Sequence, residues 1–192
     1  MSLRQRFALC AIALATAFPV MADWSLVPDA SSLNFLTTKN AQVTEVHAFE
    51  SLSGTLSDSG KLEVVVDLAS VNTNIDIRNT RMQEMLFDVA NFATASFTAT
   101  LPDSIIALNA GESISTAVEG TLSLHGKDVV TSFTVQVSKL DDNTFSVTTT
   151  QPTLLSASDF GLGAGVEALQ KIAGLQSITS TVPVTFTVTF TG

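Results

Sequence analysis

The chain has 192 residues, with 9 basic against 18 acidic side chains, one Cys, one Trp and no Tyr. Its length suits a single domain. A formal charge of −9 repels phosphate backbones, which argues against a nucleic-acid partner, and one thiol excludes an internal disulfide.

The first 22 residues, MSLRQRFALCAIALATAFPVMA, have the pattern of a secretory leader. Arg4 and Arg6 form a basic start, Phe7 to Phe18 is mostly apolar, and Val20-Met21-Ala22 offers modest side chains at a cleavage site. The apolar run is shorter than the ~20 residues of a spanning helix. Cleavage after Ala22 is expected, giving a leader 1–22 and one domain, 23–192. Cys10 is preceded by Leu9, a poor context for a lipoprotein acceptor, and reads as apolar filler. Both Arg4 and Arg6 leave with the leader and no acid does, so seven basic residues face eighteen acidic ones, a balance of −11. Such a surface disfavours docking on an anionic membrane, and no stable membrane insertion is expected.

Strand signals then recur along the chain. Strands are predicted near 33–39 and 43–56. Leu62, Val64, Val66 and Leu68 alternate with polar or smaller neighbours, which marks one buried and one wet face. Next comes IDIRNTRMQEMLFD, residues 75–88, where the period changes. Met82, Met85 and Leu86 stand at i, i+3 and i+4, one apolar helical face. Asn79 or Thr80 can cap this helix, with Gln83 as a capping-box partner. Alternation resumes at Ala95, Phe97, Ala99 and Leu101, then near 115–124, at Phe133, Val135 and Val137, and near 144–151. Asp58-Ser59-Gly60, His125-Gly126-Lys127 and Asp141-Asp142-Asn143 read as turns. GLGAG, residues 161–165, lacks the Lys-Ser/Thr of a phosphate loop and reads as a loop entering a helix of about two turns, Val166 to Ile172. The last run, 181–190, alternates Val and Phe with Thr, and Pro183 demotes its start to an edge or bulge.

About eight antiparallel strands with short turns predict a sandwich or a closed barrel, and alternation does not separate the two. A barrel removes the exposed edges of such strands. A short helix between two of them can close one end of the barrel or line its mouth.

The histidines are His47 and His125. His125 belongs to a turn. His47 lies in TEVHAFE, where on a strand it shares a face with Glu45 and not with Glu50. That is too small a set for a metal. No nucleophile elbow or Ser-His-Asp order stands out, so no enzyme and no metal site are predicted.

TNIDIRNTRMQEMLFDVANFATASF, residues 73–97, resembles the signature of the YceI-like family of bacterial exported proteins: Thr-x-Ile-x-Ile-Arg-Asn/Asp-x-Arg-Met, then Leu-Phe, then an aromatic-Pro pair and a Thr/Phe strand. WSLVPDASSLNF resembles the family's opening strand, GTLSLHGKDVVTSFTVQV its Gly-x-Leu-x-Leu-His-Gly hairpin, and SASDFGLG its late Phe-Gly element. The chain departs from the pattern at Ala93, where Pro is usual, at Gln83, where a basic residue is common, and at Asn79, where many members have Asp. The resemblance implies an all-β, lipocalin-like antiparallel barrel of about eight strands with one or two short helices at its mouth. It also implies binding of a polyisoprenoid or isoprenoid quinone as a periplasmic carrier, store or sensor. No cofactor beyond this lipid is expected. Arg78 and Arg81 either face a polar lipid head or pair with Asp76, Glu84 or Asp88, and Arg78, beside a strand end, reads as structural. The residues chosen as ligand contacts are Phe35, Phe49, Arg81, Met82, Leu86, Phe87 and Phe97. Three rival readings stand beside this one. One is a carbohydrate-binding or adhesive β-sandwich, which one Trp and no Tyr disfavour. The second is a lipid hydrolase or isomerase using His47. The third is a ligand-free, solid-core barrel acting through its surface. The sequence does not set the oligomeric state, a homodimer included.

Overall fold

The computed structural model describes residues 24–192, and the expected leader, 1–22, lies outside them. The strands are β1 (Trp24–Leu26), β2 (Ser32–Lys39), β3 (Val43–Phe49), β4 (Leu52–Leu56), β5 (Lys61–Asp67), β6 (Val71–Asn72), β7 (Thr94–Thr100), β8 (Ser113–Leu124), β9 (Lys127–Asp141), β10 (Thr144–Thr149), β11 (Thr153–Ser156) and β12 (Thr181–Thr191). Several are halves of one longer strand. β1 and β2 both run along β12, separated by a single 3-10 turn at Pro28–Ala30. β3 and β4 share a partner line, β6 then β5, and are divided at Glu50-Ser51. β10 and β11 both pair with β12. Joined in this way, the strands make an eight-membered antiparallel meander. It closes where the last strand meets the first, Ser25 opposite Thr191 and Phe35 opposite Val184. The fold is the closed barrel, and the sandwich alternative is excluded.

The alternation read from the sequence is realised in this ring. Phe133, Val135 and Val137 of β9 are buried, as are Val184, Val188 and Phe190 of β12, while the intervening Thr residues face outward or lie partly exposed. Pro183 is paired only on its β11 side, opposite Leu154, and pairing with β2 begins one residue later at Val184. The missing N–H therefore falls where no second partner strand asks for it.

The connections sort by end. The turn at 57–60, helix α2 (Asp103–Ile106) and the turn at 142–143 lie at the lower end. The β2–β3 loop, the segment 73–93, the His125-Gly126 turn and the segment 157–180 lie at the upper end. Both His125 (φ 52°) and Gly126 (φ 71°) are left-handed, as a two-residue type I′ hairpin turn requires. The two helices expected at the mouth are α1 (Asp76–Arg81) and α3 (Gly163–Ile172). The four-residue α2 was not among the expected elements.

The first helix differs from its expected form. Its cap is Ile75, which has no side-chain hydrogen bond, so the capping-box reading is overturned. Asn79 instead accepts from the Thr73 backbone N–H at 2.8 Å and the Thr73 hydroxyl at 2.6 Å, tying the helix back to the strand it left. Gln83 donates to the Ala69 carbonyl at 2.7 Å. Beyond Arg81 the coil widens into a π turn, Met82–Phe87, ended by left-handed Asp88 (φ 48°). A π turn bonds i to i+5 and so winds more loosely than an α-helix, and here Met82 and Phe87 are buried while Met85 turns outward.

Candidate ligand cavity

A cavity of about 520 Å³ runs along the inside of the barrel. Its lower wall is formed by Ile105 of α2 with Val137, Phe145 and Phe190, all buried. Its upper wall includes Lys39, Arg78, Arg81, Ala173 and Ile172, the last 48% exposed. Exposed lining residues collect at the upper end, so the cavity opens there, between α1, α3 and the tip of the β2–β3 hairpin. The volume falls within the roughly 300–1,000 Å³ usual for ligand pockets, and small antiparallel barrels are wide enough to enclose one ligand. The solid-core alternative does not hold.

Each element presents its residues for a definable reason. Phe35, Thr37 and Lys39 are alternate residues of β2, and Glu45, His47 and Phe49 alternate on β3, with Phe35 opposite His47 and Leu33 opposite Phe49. Both sets face the cavity. Phe35 lies against His47 at 5.2 Å and against Phe49 at 5.3 Å, and Phe49 reaches Phe87 of the π turn at 5.8 Å. Lower down, Phe97 and Phe186 meet Phe133 edge-on at 5.1 and 5.3 Å. Such edge-to-face contacts stabilise the wall beyond the area they bury.

The upper helices cross closely. A Cβ on Gly165 would lie 2.7 Å from the Met85 carbonyl oxygen and 2.9 Å from the Leu86 Cα. The glycine-rich GLGAG segment therefore lets α3 seat on the π turn. The β8–β9 turn joins the same assembly, with the Phe92 ring 4.5 Å from His125.

One wall of the upper cavity is polar. Glu45 is held by Lys39 at 2.8 Å and Arg78 at 2.9 Å, and Arg78 also donates to the Thr73 carbonyl at 2.6 Å. Arg78 thus pairs across to β3, and not with Asp76, Glu84 or Asp88. The hydrogen bond from Lys39, with the neighbouring Arg78 charge, holds the Glu45 carboxyl below its ordinary range despite some burial. His47 is 4% exposed, and its Nε2 lies 2.9 Å from the Thr37 hydroxyl. Burial first, then the Arg78 charge, lowers its pKa from the ordinary 6.5, so the ring is neutral at neutral pH. Arg81 lines the same space and has no ion pair among the described residues.

All seven residues chosen from the sequence, Phe35, Phe49, Arg81, Met82, Leu86, Phe87 and Phe97, line this one cavity. His47 and Glu45 also line it, and sequence reasoning set them aside. Their signal was parity: they stand two and four residues before Phe49, on its face of the strand. Among the described residues no group of three or more His, Cys, Asp or Glu is placed to hold a metal ion, and no helix is long and apolar enough to cross a membrane.

Fold and cavity together define a lipocalin-like barrel with an apolar interior and a single helix-framed mouth. The model of the YceI-like domain matches residues 24–190. The chain belongs to the YceI-like family. A polyisoprenoid-binding domain from Saccharophagus degradans, implicated in plant cell wall breakdown, superposes with a TM-score of 0.86 at 38% identity, covering 90% of this chain and 99% of that one. BcnA of Burkholderia cenocepacia shares the fold, with a TM-score of 0.63 at 19% identity, over 85% of this chain and 98% of its own. No curated protein matches.

Proposed function

We propose that the barrel binds one long apolar lipid, of the polyisoprenoid or isoprenoid-quinone type, and serves as a periplasmic carrier, store or sensor with no catalytic step. The observation that carries this reading is the cavity itself, about 520 Å³ with predominantly apolar walls from mouth to floor. Each methylene moved from water into such a space contributes about 0.8 kcal/mol, so a chain of isoprene units gains affinity with every unit enclosed. The polyisoprenoid-binding domain that shares 38% of its sequence with this chain supports the same ligand class. Phe35, Phe49, Phe87 and Phe97 contact the chain, Met82 and Leu86 adapt to its bends near the mouth, and Arg81 stands where a polar end emerges. The periplasmic placement rests on the leader pattern of residues 1–22.

The test is native mass spectrometry of protein purified from its own host, with lipid analysis of an organic extract. A stoichiometric isoprenoid lipid is expected. Protein that arrives bare, and takes up neither quinones nor prenyl lipids when offered them, would overturn the reading. N-terminal sequencing of the protein from a periplasmic extract is expected to begin at Asp23, and an intact Met1 in that fraction would refute the export reading.

A further inference from the structure

Exposed apolar side chains are not spread evenly over this barrel. Of the nine large ones among the described residues, only Leu140 stands at the lower end. Val43, Ile75, Ile77, Met85 and Ile172 belong to the segments that frame the mouth. Below them a collar runs along the outer wall. Val130 of β9, Leu154 of β11, Pro183 of β12, Leu36 of β2 and Val46 of β3 each stand two or three residues from the upper end of their strand, within about 10 Å of it. All five have the parity opposite to the cavity wall, and Val130 and Leu154 are 70% and 65% exposed. Their strands belong to five consecutive members of the eight-membered ring, so the collar turns round more than half of the barrel. The other members are topped by the segment 73–93, which carries Ile75, Ile77 and Met85.

Exposed apolar surface of this extent marks an interaction site, and its shape indicates the partner. A rigid protein covers one side of a ring, whereas a lipid surface entered end-on meets the whole of it at once. The outward residues next to the collar, Asn34, Thr38, Thr44, Thr181 and Thr185, are uncharged, so sinking it to head-group depth strips no ion of its water there. Charge at this end is mixed. Five of the seven cations among the described residues lie here, Lys39, Arg78, Arg81, Lys127 and Lys171, with Asp76, Glu84 and Asp159 at the same end. Both signs find partners among zwitterionic head groups, while the net negative charge of the chain opposes an anionic surface.

We propose that the barrel docks reversibly, mouth first, on a zwitterionic phospholipid surface, with Val43, Ile75, Ile77 and Ile172 at the acyl boundary and the collar at head-group level. Interfacial elements bury about 5–10 Å in this way, which matches the depth of the collar below the rim. The proposal rests on the reading of the cavity as a lipid site and adds the place where it is filled. With the mouth open in the apolar layer, a chain passes from bilayer to barrel without crossing water.

The test is flotation of the mature chain, 23–192, with dioleoylphosphatidylcholine vesicles, beside titration with a short-chain ubiquinone and geranylgeraniol in the absence of vesicles. Protein is expected to float with the vesicles. Combined Ile75→Asn and Ile77→Asn should lower the bound-to-free ratio about tenfold and leave uptake of the free lipids unchanged. Orientation is read with brominated acyl chains. Trp24 lies at the lower end, opposite Leu56, and should keep its fluorescence, while Ile77→Trp adds emission that these lipids quench. Wild-type protein that stays in the aqueous fraction, or quenching of Trp24, overturns the docking alone. Failure to take up either free lipid while flotation persists overturns the cargo reading and not the docking. A dimer in sedimentation, dispersed by the same double substitution, would give this end to a second copy and overturn the docking as well. Flotation of the wild type needs no variant, so a misfolded substitution leaves the test intact.

Discussion

At the lower end of the barrel the plug is made of side chains. Ile105 is 1% exposed, Phe145 meets Trp24 edge-on at 5.3 Å, and the Lys139 ammonium sits 3.8 Å from the centre of the Phe145 ring. At the upper end side chains are buried too, Met82, Phe87, Phe160 and Leu162 among them, but they are carried by connecting segments: a π turn closed by left-handed Asp88, a helix laid over it at Gly165, and a turn whose two central residues are both left-handed. Packed side chains have one good arrangement and resist change. Connecting segments that lie outside the sheet's hydrogen-bond ladder open at lower cost than the sheet beneath them. The difference indicates which end admits a ligand, and substitutions at the two ends should separate accordingly.

The largest expected effect is at the floor. Phe145→Ala should lower global stability by about 3–5 kcal/mol in urea denaturation, and a loss under about 1 kcal/mol would mean the floor is not the anchor. Gly165→Val forces a side chain into the Met85 carbonyl and should cost about 1–3 kcal/mol. Here the loss should be local, with faster amide exchange over 76–89 and little change in β8 and β9. Equal acceleration throughout would make lid and barrel one cooperative unit. Asn79→Ala removes the single acceptor, Asn79 Oδ1, that serves both the N–H and the hydroxyl of buried Thr73, and should fall toward the lower part of that same range, about 1–3 kcal/mol, with ligand release accelerated more than unfolding.

The smallest effect is a pH dependence at the mouth. Above pH 6.5 the His47 imidazole is neutral in the folded and unfolded chains and contributes no slope. Below it the unfolded chain takes up a proton that the folded chain refuses until its lowered pKa is reached. Stability should therefore decline as pH falls through this window, by at most about 1.4 kcal/mol per unit. Glu45, whose pKa lies below 4.5, contributes stability that is lost only at lower pH. His47→Phe should flatten the profile between pH 6.5 and 5, and an unchanged slope would place its origin elsewhere.

The same contrast explains what the sequence revealed. The barrel walls were legible because alternation in 62–68, 133–137 and 182–190 reports directly which residues face inward. The seven residues chosen as ligand contacts were those clustering around the helix and its flanking strands, since alternation does not separate a lumen contact from a packed core residue. The lid was less legible. A 3.6-residue period puts Met85 on the apolar face, whereas the π turn exchanges it for Phe87, and that choice is made by the crossing with α3 at Gly165, some eighty residues away. The polar wall was missed because Glu45 and His47 look outward by composition. Val46, which looks inward by composition, is in fact 59% exposed. Parity with Phe49 fixes the face here, and residue composition alone misreads it.

Closure also has a consequence for how the chain comes to be folded. The ring is completed only when β12, the last strand, joins β1 and β2, the first. Until then the growing sheet carries two open edges of Thr- and Val-rich strand, the kind that recruit other chains. Assembly is thus vulnerable for nearly its whole course and protected only at its final step. A chain cut before Thr181 is expected to aggregate, and to be rescued by a separate peptide supplying 181–191. A soluble, monomeric truncated form by size-exclusion chromatography would show that the open sheet protects itself.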